Sequence, residues 1–153
     1  MPEEQPKPFA PILLVVDPSD AALRAARRAV ELAAVLRARI YATSVVDTQT
    51  LGQLLKGKIL VQDEMEDFEA QLAESAKRYL KMVDGMAKEA GVEIEQVLLK
   101  SGWHQGILYQ QRQCSAGLVI LGGFTSSMTK RDLVAKAKQL IIDEIPCPVL
   151  IVR

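Results

Sequence analysis

Three groups of residues in this chain could act on a charged ligand. Asp17-Pro18-Ser19 follows a short apolar run. Gly122-Gly123 ends a second run, Leu118-Val119-Ile120-Leu121, and opens a polar stretch holding Ser126, Ser127, Thr129, Lys130 and Arg131. Lys136 and Lys138 lie on the helical stretch beyond it. Glycine at a strand end lets a phosphate come close to main chain, and a following helix N-terminus offers N–H donors. The chemistry suggested is therefore anion binding, phosphate above all. Each group also has a plainer reading. Asp17 suits an Asx turn or a helix cap. Gly122-Gly123 suits a tight exit from a strand, and the four lysines and arginines suit a solvated helix face.

Support for catalysis is thin. The chain has no Gly-x-Ser-x-Gly elbow, no Walker-type lysine loop and no His-Glu-x-x-His. His104 is the single histidine, without a partnered cysteine or carboxylate motif, so it is a poor metal or catalytic candidate. Its neighbour Trp103 reads as a packing or interface residue. Cys114 and Cys147 have no His-linked signature and read as small buried hydrophobes. No metal is expected.

The elements that must position these residues alternate along the chain. Residues 12–16 form a continuous apolar run suited to a strand buried on both faces. Ser19 or Asp20 then caps an alanine-rich helix carrying Arg24, Arg27, Arg28 and Arg37. Those arginines could attract an acidic partner, though a solvated face is the commoner reason. Residues 39–46 read as a second strand. Residues 47–63 are too apolar for a free loop and predict a part-helical insertion serving as core cover, lid or subunit contact. A long helix follows over residues 64–90, with an apolar stripe through Met65, Phe68, Leu72, Ala76, Tyr79, Val83, Met86 and Ala90, and Gly91 as its stop. Residues 92–100 make a third strand, Ile107, Leu108 and Gln111 mark a short helix, and residues 117–121 make a fourth strand. A last helix carries Leu133, Val134, Ala137, Leu140 and Ile141. Pro146 breaks it, and residues 149–152 are the fifth strand.

This alternation predicts an α/β fold: a single-domain, open, parallel five-stranded sheet of order 3-2-1-4-5 with helices on both faces. The reversal then falls between the first and fourth strands, where ligands bind beyond the carboxyl ends. The expected domain spans residues 11–153, after a frayed acidic and proline-rich tail over residues 1–10. At 153 residues the chain can bury a proper core. Acidic and basic side chains balance at 19 each, which disfavours a nucleic-acid partner. No apolar run approaches a membrane span, and the start of the chain lacks the pattern of a signal peptide. The two cysteines suit a reducing compartment, so the cytoplasm is the expected location.

Taken together, Val15-Val16-Asp17-x-Ser19, the alanine-rich first helix, Leu118-Val119-Ile120-Leu121-Gly122 and Cys147-Pro148-Val149-Leu150-Ile151-Val152 resemble the universal stress protein family. The likeness runs from about Pro11 to Val152. It implies an adenine nucleotide alpha hydrolase-like fold and a protein that dimerises. One branch of the family holds ATP or AMP through Gly-x-x-Gly, nine residues, then Gly-Ser/Thr. Another branch lacks the pattern and the nucleotide. Laid on this chain, the pattern meets Gly122, then Thr125, Ala135 and Lys136, so one position of the four agrees. Thr125 is β-branched and poorly suited to positive φ. Ala135 adds a methyl where phosphate would touch main chain, and Pro18 removes an N–H from the first loop.

The resemblance and these departures imply a non-enzymatic stress-response homodimer acting through an unidentified protein partner. Its interface would be the C-terminal edge strand, Val149, Leu150, Ile151 and Val152. ATP binding would be weak or absent, and no cofactor is expected. The alternative is an ATP or AMP switch of the same fold, in which Asp17, the backbone near Val45, Gly122, Gly123, Ser126 and Ser127 hold the nucleotide and Lys136 stands for the missing hydroxyl. A reading of another class is a small α/β hydrolase or phosphotransferase.

Overall fold

Four residues, Ile12 to Val15, form the central strand of the sheet, and every one of them is buried. Leu13 and Val15 pack on one side, while Ile12, Leu14 and then Val16 pack on the other, so both faces of this strand are core. The computed structural model describes residues 7–58, 61–123 and 133–153. In chain order the elements are β1 (Ile12–Val15), α1 (Asp20–Leu36), β2 (Ile40–Asp47), α2 (Thr48–Lys56), α3 (Gln62–Glu89), β3 (Ile94–Ser101), α4 (Trp103–Cys114), β4 (Leu118–Gly122), α5 (Leu133–Glu144) and β5 (Val149–Val152). The sheet has the expected order, β3-β2-β1-β4-β5, with every pairing parallel.

Two apolar layers hold the sheet. On one face Ala25, Ala26, Ala29 and Ala33 of α1 and Leu80, Val83 and Ala87 of α3 pack against Leu14, Ala42 and Ile120. Alanine lets α1 lie close to the strands. On the other face Trp103 and Ile107 of α4 and Ile141 of α5 pack against Leu13, Val15, Val119 and Leu121. Ser19 caps α1, its hydroxyl oxygen accepting the Ala22 N–H at 3.1 Å. Gly91, at φ +69°, takes the left-handed turn after α3.

Two sequence expectations need correction here. The apolar stripe predicted for the long helix holds only in its C-terminal half, where Ala76, Leu80, Val83 and Ala87 are buried. Phe68 is exposed instead, and Ala90 is an exposed cap just beyond the helix. The reason is length: 28 residues of helix span about 42 Å, whereas the eight residues of β3 span about 26 Å. The first turns of α3, ahead of Glu69, which pairs with Lys100 near the end of β3, therefore overhang the sheet. Lys138, expected on a solvated face, is 1% exposed. It shares an inward stripe with Ile141 and Ile145, three and seven residues further on.

Close packing also explains one glycine. A Cβ on Gly122 would stand 2.8 Å from the Ala21 carbonyl carbon at the start of α1. Gly85, by contrast, has nothing within 4 Å of its virtual Cβ on α3. The same substitution should therefore act in opposite directions. Gly122→Ala should destabilise by about 1–3 kcal/mol through overpacking, and Gly85→Ala should stabilise by roughly 0.5–1 kcal/mol through helix propensity. Urea unfolding of both variants checks this, and equal shifts of one sign would contradict the packing described.

Candidate functional site

The candidate crevice lies at the carboxyl ends of β1 and β4, where the sheet order reverses. Asp17 and Pro18 leave β1 here, Gly122 and Gly123 leave β4, and the first half of α5 passes over the gap. Asp17 has a side chain 14% exposed. One of its carboxylate oxygens accepts the Ser19 hydroxyl. The other lies 3.7 Å from Lys138 Nζ, an ion pair at a distance beyond a good hydrogen bond. Lys138 Nζ donates to the Gly123 carbonyl oxygen at 3.1 Å. A continuous polar chain thus runs from the Ala22 N–H through Ser19, Asp17 and Lys138 to Gly123. It links the start of α1 and the middle of α5 to the ends of β1 and β4.

Beside this chain lies a cavity of about 260 Å³, lined by Asp17, Pro18, Val45, Asp47, Thr50, Trp103 and Ala137. Val45, Trp103, Pro18 and Ala137 supply apolar walls. Asp47 and Thr50 come from the start of α2, where Asp47 caps the helix: its oxygens accept the Thr50 N–H at 3.0 Å and the Thr50 hydroxyl at 2.8 Å. Two carboxylates therefore border the cavity. Part of the insertion predicted over residues 47–63 forms a wall of it, and Leu51 on the same helix is buried.

The predicted site residues fall in several places. Asp17 and Val45 meet at the cavity. Gly122 is the last residue of β4, against Ala21 of α1. Gly123 donates its N–H to the Val152 carbonyl at 2.7 Å and gives its carbonyl to Lys138, so both of its polar groups serve the fold. Lys136 is exposed on α5. Ser126, Ser127, Thr125, Thr129, Lys130 and Arg131 lie outside the described residues. Sequence reasoning named Lys138 as a possible anion clamp but preferred a solvated face, and so missed its burial at the site. The signal was present in the spacing Lys138, Ile141, Ile145, which sets a lysine on the apolar stripe of a helix.

At the other margin, β5 is an edge strand. Neighbouring residues of a strand face opposite sides, yet Leu150 is 40% and Ile151 41% exposed. With Leu32, Val35 and Val152 they line an open groove against α1. Among the described residues no group of His, Cys, Asp and Glu could hold a metal ion, and no helix is long and apolar enough to cross a membrane.

Comparison with known proteins adds a family. The sequence pattern of the universal stress protein family matches residues 8–153. A universal stress protein of Methanocaldococcus jannaschii is 29% identical over 146 residues, 95% of this chain and 82% of that protein. Among solved structures, a member of the same family from Burkholderia pseudomallei superposes with a TM-score of 0.73 at 20% identity, over 94% of this chain and 96% of that one. The Archaeoglobus fulgidus universal stress protein in complex with dAMP gives 0.62 at 21% identity, over 95% and 98%. These structural likenesses confirm the fold.

The two cysteines are free and half-buried, packed against the α4/α5 layer. Burial pushes the Cys114 thiol above its ordinary range. It does the same to Cys147, where the nearby Cys114 adds to the effect. A raised pKa lowers the thiolate fraction at any given pH, so both thiols should be poor nucleophiles at neutrality. Iodoacetamide labelling should be slow at pH 7 and should keep accelerating past the usual thiol range. A rate that levels off near neutral pH would contradict the burial.

Proposed function

The chain belongs to the universal stress protein family, and on that premise we propose that it serves as a stress-response regulator: a cytoplasmic homodimer, joined along β5, that acts through contacts with other proteins, catalyses no reaction, and holds ATP weakly or not at all. The observation that carries this reading is the bare apolar margin of the sheet. Leu150 and Ile151 on β5, together with Val35 on α1, stay open to solvent around one groove. An apolar strand edge of this kind templates aggregation unless something covers it. A second copy related by a two-fold axis offers the same edge in return, which closes the contact.

The strand-end crevice supports the second half of the reading. A triphosphate needs free main-chain N–H groups and a positive surround. Here the Gly123 N–H is spent on β5, the Ala21 backbone crowds Gly122, and Asp17 and Asp47 border the adjoining cavity. Among the described residues, the strand end does not offer the main-chain cradle by which the family holds a triphosphate.

A second reading, an adenine-nucleotide switch, draws on one specific observation. The cavity beside Asp17 has about 260 Å³ of space, and it lies at the end of the sheet where ligands of such folds bind. A structural relative was solved with dAMP.

Two measurements separate these readings. In sedimentation the wild-type chain should run as a dimer and Leu150→Asp as a monomer or an aggregate. A well-folded Leu150→Asp dimer would contradict the β5 interface. Denaturing the purified protein should release no nucleotide, and titration calorimetry should find no ATP or AMP site tighter than about 10 μM, roughly −7 kcal/mol. Tighter binding would transfer the preference to the switch.

A further inference from the structure

A lysine 1% exposed at the topological switch point is unusual, because an ammonium loses much of its hydration on burial and keeps its charge only beside fixed acceptors. Lys138 has such acceptors. The Gly123 carbonyl oxygen stands 3.1 Å from its Nζ, and Asp17 Oδ2 stands 3.7 Å away. A carboxylate and a carbonyl, one from the end of each central strand, together make a binding place for a primary ammonium. Asp17 is held for this task by the Ser19 hydroxyl on its other oxygen, so the acceptor geometry is built by the fold and does not rest on Lys138 alone. The four-carbon stem of Lys138 enters from the inward stripe of α5, and the preceding residue, Ala137, lines the neighbouring cavity.

We propose that the crevice is an ammonium site occupied in cis by Lys138, and that Lys138 is the residue deciding specificity there: while its ammonium is in place, Asp17 is engaged from within and is withheld from a nucleoside in the cavity. This rests on the reading that the crevice does not hold ATP. It goes further by naming the occupant and the chemical class that the site recognises. Two consequences follow from the geometry. Shortening Lys138 leaves an acceptor pair and a channel shaped for an alkylammonium, so a free amine of the right length should refill it. The same change frees Asp17 to accept a hydroxyl or amino donor from an uncharged nucleoside, because the carboxylates of Asp17 and Asp47 suit donors rather than phosphate.

The test is chemical rescue of Lys138→Ala with n-propylammonium, the fragment that the substitution removes. The variant should lose thermal stability, and n-propylammonium in the millimolar range should restore at least half of the lost Tm, saturably. Tetramethylammonium, with equal charge but no N–H, should restore none, and the double variant Asp17→Asn, Lys138→Ala should not respond to either. By calorimetry, adenosine should bind Lys138→Ala about tenfold or more tighter than it binds the wild type, and added n-propylammonium should compete with it. Absence of rescue, or equal rescue of the double variant, overturns the ammonium site. Absence of any gain in adenosine affinity overturns the specificity role.

A wild-type measurement stands beside these should Lys138→Ala fail to fold. Nitrogen-15 spectra selective for lysine side chains should show one ammonium whose protons exchange slowly at neutral pH, assigned to Lys138. A spectrum in which every lysine ammonium exchanges at the solvent rate overturns the proposal. If instead the wild type binds ATP tightly, the parent reading falls, while the rescue and exchange results still decide the ammonium site on their own.

Discussion

The ion pair between Lys138 and Asp17 is the constraint on which the arrangement of the strand ends depends. Four elements meet at it: β1 through Asp17, α1 through Ser19 and Ala22, β4 through Gly123 and α5 through Lys138. Removing one partner of such a pair leaves the other buried and uncompensated, which commonly costs about 3–5 kcal/mol. That is a large fraction of the total stability of a small domain, of the order of 5–15 kcal/mol. The gain is positional. α5 packs through Ile141 and Ile145 on the sheet, and the pair ties the other end of that stripe to the two central strands.

The same tie separates the two ends of the molecule's chemistry. At the switch point, among the described residues, Gly123 is turned toward β5 and α5, and Asp17 toward Ser19 and Lys138. At the sheet margin, apolar groups that could have been turned inward remain outside, Leu150 and Ile151 above all. A crevice satisfied from within beside an edge left open is the arrangement from which the proposed role by contact is argued.

Much of the fold was legible because its signals are local and strong. The runs at residues 12–16 and 117–121 are apolar without alternation, which only strands buried on both faces require, and these are the central pair β1 and β4. Ser19 at the head of α1 and Gly91 after α3 read correctly as cap and stop. What escaped was less local. The first turns of α3 carry Phe68 at helical spacing, yet a helix longer than the strands it covers runs past its core, and periodicity alone does not say where the sheet ends. The burial of Lys138 escaped for a different reason: charge argues for solvent, and acceptors such as Asp17 and Gly123, 121 and 15 positions away along the chain, offset the cost of burying it. Asp17 was singled out for the crevice, and it stands there beside Val45. The interface proposed for Val149 to Val152 is argued from the edge position of β5, a property of strand order that the alternation of elements already implied.

The most direct measurement of the central claim is a double-mutant cycle in urea on Asp17→Asn, Lys138→Met and the two combined. The pair should couple: each single change should cost several kcal/mol, about 3–5 by the rule for a broken buried pair, and the combined variant should cost no more than the worse single one. Costs that add to within about 0.5 kcal/mol would mean that Asp17 and Lys138 act independently, and the strand ends would then be held by something else.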